Sequence, residues 1–203
     1  MLASLGIPFV VLPADIVEDV EPGEAPQAYL ERISYGKLCA VWSRLEREGP
    51  PRGSPHGISA ILVADTTVVI DGNIVGKPAD TADAVITLGR LVGRTHTVFT
   101  RYLIGTPRRG ADPRAGIRAA RTVSTQVKLR AASPEEVAAY AATGEGLDKA
   151  GAYAAQGIGS FLVEAIDGSY ANVVGLPACE LVTDLQELAL LGVFPGDASR
   201  LAR

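Results

Sequence analysis

Hydrophobic positions fall into two rhythms along this chain. Tyr29, Ile33 and Val41 recur on a four-residue step behind Pro26, which suits a first helical turn, so the pattern predicts a helix over residues 26–47. Lys37 stands in the same stripe. Taken alone, it reads most simply as a stem lying along the core with its ammonium snorkelling to water. Continuous or alternating apolar runs predict strands elsewhere. Residues 7–12 read as a short buried strand, and residues 58–64 as another that ends in Asp65-Thr66. A carboxylate at the carboxyl end of a buried strand sits where open α/β sheets bind ligands; a strand-terminating cap is the bland alternative. Asp71-Gly72 between Val68-Val69-Ile70 and Asn73-Ile74-Val75 predicts a tight hairpin that carries Gly76-Lys77-Pro78 towards Asp65.

Further along, Thr81 caps a helix to about Leu91 that Gly93 ends. Residues 95–104 and 122–129 predict a long antiparallel hairpin across the loop 105–116. Ser133-Pro134-Glu135-Glu136 is a capping box that starts a helix ending near Gly144. A glycine-dense stretch, 144–159, carries Asp148, Lys149, Tyr153 and Gln156. Residues 161–166 and 170–174 read as one more hairpin across Asp167-Gly168, and Pro177 opens a last helix whose Leu181, Leu185 and Leu188 face the core. Mixed strands and helices in this order predict an α/β fold with a sheet that is part parallel and part antiparallel.

Composition narrows the chemistry. Length fits one domain over 1–203, with residues 48–57 as a surface loop, and no apolar run is long enough to span a membrane. The apolar opening lacks the basic start of a signal peptide and is interrupted by Pro8. Cys39 and Cys179, far apart, indicate neither disulfides nor a zinc-thiolate site and fit a reducing compartment. With His56 and His96 the only histidines, chemistry must rest on carboxylates and lysines. A net charge of -4 excludes the basic footprint of a nucleic-acid polymer binder but allows a small anion where lysines converge.

Five segments occur in a telling order: Ala64-Asp65-Thr66, Gly76-Lys77-Pro78, Gly93-Arg94-Thr95-His96-Thr97-Val98, Asp148-Lys149-Ala150-Gly151-Ala152-Tyr153 with Gln156, and Gly168-Ser169-Tyr170-Ala171-Asn172 running to Gly175-Leu176-Pro177. Together they resemble the Maf family of nucleotide pyrophosphatases over almost the whole chain. The resemblance implies an elongated α/β fold with two lobes around a cleft, shared with inosine triphosphate pyrophosphatases. It implies hydrolysis of a nucleoside triphosphate to the monophosphate and pyrophosphate in the cytoplasm, with a divalent metal, magnesium or manganese, and a homodimer.

By the same resemblance Asp65 and Glu18 are catalytic and metal-holding acids, although Val17 stands where the family usually has a second aspartate. Lys37 and Lys77 match the family's two lysines, which turns Lys37 from a snorkelling side chain into one that points into a cleft. Lys149 helps hold the nucleotide, with Asp148 orienting it. Gln156 reads the base, since a primary amide complements the N3-H and O4 edge of thymine or uracil. Asp65-Thr66 and the Tyr153 to Gln156 spacing resemble the subfamily that prefers dTTP and UTP; Tyr153 stacks on a base or packs in the lobe. The family's opening Ser-x-Ser-Pro-Arg-Arg would lie just before Met1, and we read the recorded start as downstream of the real one. Arg108-Arg109 sits in a variable loop and is not assumed to replace it. The competing expectations are action on methylated GTP or another modified nucleotide, and a division-linked regulatory protein without turnover.

Overall fold

A computed structural model describes residues 1–51, 57–106 and 110–194; His56 and Arg108-Arg109 lie outside the described residues. Helix α1 (Pro26–Glu48) forms where the four-residue rhythm predicts it. It lays Leu38, Val41 and Trp42 on Ile61, Val63 and Leu103 of the sheet. The strands are β1 (Ile61–Ile70), β2 (Asn73–Val75), β3 (Thr95–Gly105), β4 (Ile117–Leu129) and β5 (Val163–Asp167). They form one sheet in the order β2-β1-β3-β4-β5. All four pairings are antiparallel, so the parallel part expected from the element order is not found among the described residues.

The two faces of this sheet bury different partners. On the face opposite α1, helix α2 (Thr81–Leu91) and helix α3 (Pro134–Ala142) cover Val68, Val98, Val127 and Leu129 with Leu88, Leu91, Val137 and Tyr140. Further along that face, α5 (Ala178–Glu187) places Leu181 against Tyr102 and Ile104. Asp184 fixes this helix by accepting a hydrogen bond from the Tyr102 hydroxyl and pairing with Arg121. The capping box at Ser133 and Glu136 forms as expected, whereas the cap of α2 is Asp80, one residue before Thr81. Asp71 and Gly72 both have positive φ, 53° and 76°, which is the two-residue turn that the Asp-Gly pair predicts.

Three further expectations are corrected. Residues 7–12 form no strand; Phe9 and Val11 are 49% and 75% exposed, and an extended segment without a ladder partner cannot satisfy its backbone through a sheet. Strand β1 does not end at Asp65 but runs through it to Ile70. Asp65 and Thr66 are tolerated there because each finds a partner, Lys37 for Asp65 and Thr100 for Thr66. Residues 170–174 are not a strand: Tyr170–Val173 is a short helix, α4, because the Ser169 side chain accepts from the Asn172 backbone amide and caps it.

Candidate active site

A cleft of about 250 Å³ opens where β1 loses its outer neighbour. Strand β2 pairs only with Val68, Val69 and Ile70, so the edge over residues 61–67 has no partner strand among the described residues. Consecutive residues on a strand point to opposite faces. Asp65 therefore looks towards α1, while Thr66 looks towards α4, and the cleft reaches both around the open edge. Every site residue predicted from sequence lines it: Glu18, Lys37, Asp65, Thr66, Lys77, Lys149, Tyr153 and Gln156.

On the α1 side the charges interlock. Lys37 donates to Asp65 Oδ1 at 2.5 Å and lies 2.8 Å from Glu18 Oε1. Lys77, delivered by the β1-β2 hairpin, lies 3.3 Å from the other oxygen of Glu18. Burial raises the pKa of Asp65, and the hydrogen bond and charge of Lys37 only partly oppose this. Glu18 differs: burial pushes it up as well, but the hydrogen bond from Lys37 and the charges of Lys37 and Lys77 together hold it below the usual value. For Lys37, desolvation acts against the ammonium, yet its hydrogen bonds to Asp65 and Glu18 leave its pKa raised.

The far wall is the 144–159 loop. Gly151, at φ 75°, donates its backbone N–H to Gly76 O at 3.1 Å, which ties this loop to the residue before Lys77. A β-carbon on Gly146 would stand 2.0 Å from Ala152 O, so the chain must pass there without a side chain. Glu145 clamps the loop's two ends, accepting from the Ile158 and Gly159 amides and from the Tyr140 hydroxyl. Lys149 lies within 2.6 Å of both oxygens of Asp148. Tyr153 is buried and bonds His96 Nε2 through its hydroxyl at 2.8 Å, the packed arrangement of the two expected. Burial lowers the pKa of His96 to about 4, so the ring is neutral.

The lining carries three acids (Glu18, Asp65, Asp148) and three lysines (Lys37, Lys77, Lys149), whose formal charges cancel. A polyanion entering such a site requires a counter-charge of its own. Among the described residues no cluster of three or more histidine, cysteine or carboxylate side chains could hold a metal. A hard divalent cation takes one or two protein carboxylates and fills its remaining positions with water and phosphate oxygens. Asp65 Oδ2, buried and without a hydrogen-bond partner, is an oxygen such a cation would satisfy.

Sequence reading misses Thr100, which backs Thr66, and Glu145, which holds the loop; Asn172, which backs Thr100, stands in the Gly168 to Pro177 segment but is given no role there. Thr100 carries a faint signal, a hydroxyl in the inward alternation of Val98 and Tyr102.

Acids and lysines thus converge at the open edge of this α/β sheet. The family model for Maf-like proteins matches residues 1–188, and the chain belongs to this family. It is 45% identical over 191 residues to the dTTP/UTP pyrophosphatase of Geobacter metallireducens, covering 94% of this chain and 91% of that one. To the dTTP/UTP pyrophosphatase of Syntrophotalea carbinolica it is 42% identical over 197 residues, 97% of this chain and 83% of that one. The Neisseria meningitidis protein of the same name is 39% identical over 189 residues, 93% and 87% of the two chains.

Proposed function

We propose that this protein hydrolyses dTTP and UTP to the monophosphate and pyrophosphate. The observation that carries the reading is that Glu18, Asp65, Lys37 and Lys77, far apart in sequence, form one connected ion-pair network in a single cleft. In this reading a water attacks the α-phosphorus and the bond from that phosphorus to the bridging oxygen of the β-phosphate breaks. Asp65, with its pKa raised by burial, accepts the proton of that water or holds the cation. Glu18 would hold the same cation. A bound divalent cation, magnesium or manganese, supplies charge neutralisation at the phosphates.

The lysines change partners during the cycle. Lys37 and Lys77, engaged with carboxylates in the free protein, turn to phosphate oxygens when the triphosphate enters. Lys149 does the same from the loop. Gln156 and Thr66 meet the base, and Val68, Val98, Val173 and Val174 supply the apolar wall beside them. The relatives' names support the pyrimidine preference. Free Cys39 and Cys179 suit a reducing cytoplasm, and no helix among the described residues is long and apolar enough to cross a membrane. Clearing of nucleotide pools and a homodimer belong to the same reading.

The test is pyrophosphate release from a panel of triphosphates with magnesium or manganese, comparing the wild type with Asp65→Asn. Release from dTTP and UTP that collapses in the variant supports the proposal; equal rates in the two proteins would remove it.

A further inference from the structure

Gln156 alone cannot tell uracil from cytosine. Rotating a primary amide by half a turn exchanges its acceptor and its donors, so the same side chain complements either base edge. Discrimination needs a group whose hydrogen-bonding polarity is fixed. We infer that Thr66 is that group, wired by Thr100 and Asn172 as a pure acceptor that reads the ring N–H of an imide base and disfavours a base with a lone pair there. This deepens the proposed function and rests on its placing of the base near Thr66.

The wiring follows from counting protons. Thr66 and Thr100 are cross-strand partners in β1 and β3, and their hydroxyl oxygens stand 2.8 Å apart. Thr100 is fully buried and lies 2.9 Å from the backbone carbonyl of Asn172. A carbonyl cannot donate, so Thr100 donates its single proton there. Thr66 must then donate to Thr100. Its only proton is spent inside the protein, so at the cleft that Thr66 lines its hydroxyl has lone pairs alone to offer a ligand.

The end of the chain is held rigidly. The Asn172 side-chain amide, itself buried, donates to Val98 O and to Thr125 Oγ1, both at 3.1 Å. Its backbone carbonyl also accepts from the Gly175 amide at 2.9 Å. Thr100 can turn its proton back to Thr66 only by giving up the bond to Asn172. Thymine and uracil carry N3–H and match the resting polarity. Cytosine carries a lone pair at N3 and requires the reversed chain with one hydrogen bond fewer. One neutral hydrogen bond corresponds to roughly a five- to tenfold preference.

The test measures kcat and KM for UTP and CTP, and separately the equilibrium binding of UMP and CMP, in wild type, Thr100→Val and Thr100→Ser. Thr100→Val frees the Thr66 proton while keeping the shape, and we expect the uridine preference to narrow by roughly five- to tenfold, in KM and in UMP-over-CMP binding, with kcat little involved. Thr100→Ser restores the relay and keeps the wild-type preference. A wild-type ratio in Thr100→Val, an equal loss in Thr100→Ser, or equal wild-type binding of UMP and CMP would each overturn the inference. If Thr100→Val fails to fold, Thr66→Val decides, because removing the acceptor must narrow the same ratio. Relay-dependent binding preference without turnover leaves the inference standing and removes the hydrolase reading; turnover whose base preference ignores the relay does the reverse.

Discussion

The two ends of the cleft are built from opposite materials, although consecutive residues of one strand anchor them. Around Asp65 the partners are charged, come from α1, the hairpin and the Glu18 segment, and satisfy each other. Around Thr66 the partners are neutral, buried and bonded to backbone carbonyls. The difference teaches where rigidity is useful. A triphosphate with its cation can exchange with ion pairs because charge replaces charge at little net loss. A base is recognised by one or two neutral hydrogen bonds, each so weak that only a preset donor or acceptor discriminates.

The largest expected effect falls on the charged end. Asp65→Asn keeps the shape but removes the anion, and we expect turnover to fall about a hundred- to ten-thousand-fold. Stability should move the other way. Because the folded pKa of Asp65 is raised, the native state holds that proton more tightly than the unfolded chain does, and ionisation above the unfolded value works against folding. The neutral amide escapes that penalty, so thermal melting at pH 7 should show the variant no less stable than the wild type. A variant that melted well below wild type would mean that the pair with Lys37 dominates.

Next in size is a stability effect under the neutral end. His96 titrates near 4 when folded against 6.5 when free, so the unfolded chain takes up a proton that the native ring refuses. Stability from this group is complete above pH 6.5 and is lost as pH falls towards 4, on the order of 3 kcal/mol. Chemical denaturation at pH 7 and pH 4.5 checks it: His96→Gln should lack most of this increment. Catalysis at pH 7 would change less, through the hydroxyl of Tyr153 that His96 holds.

How much of this was legible follows the same division. Lys37 in an apolar stripe and the Asp71-Gly72 turn before Lys77 are local signals, and both land where the pattern and the resemblance put them. The β3-β4 hairpin is equally readable, because Val123, Thr125, Val127 and Leu129 alternate strictly. Strand β1 deceives because a polar break inside an apolar run looks the same whether the strand ends or a site begins. Residues 7–12 deceive because β-forming side chains do not supply a partner strand. The Thr66 to Asn172 relay joins residues over a hundred positions apart through hydroxyls that any strand could carry, so no spacing announces it.

The third prediction separates holding from recognising. Lys37→Ala leaves Glu18 and Asp65 facing each other with Lys77 alone, and we expect it to destabilise the fold by about 1–3 kcal/mol. Lys37's own contribution has a definite sign. Its folded pKa is raised, so the contribution is complete below the free value of 10.5 and is lost as pH rises through the folded one. Losing Lys37 should also raise the pKa of Glu18 and Asp65, and the acid limb of the rate profile should move to higher pH. Base preference should stay as it is.

The smallest effect is the sharpest probe of the neutral end. Gln156 is exposed on the loop that Glu145 clamps, so Gln156→Ala should leave the fold intact. It removes at most one or two neutral hydrogen bonds to the base, and kcat/KM for UTP should fall about three- to tenfold with kcat nearly preserved. If Thr66 is the fixed acceptor and Gln156 the adaptable partner, the loss should be similar for CTP, because an amide that turns to suit either base favours neither. A loss confined to UTP would place the discrimination in Gln156 and leave the hydroxyl relay a structural feature of the sheet.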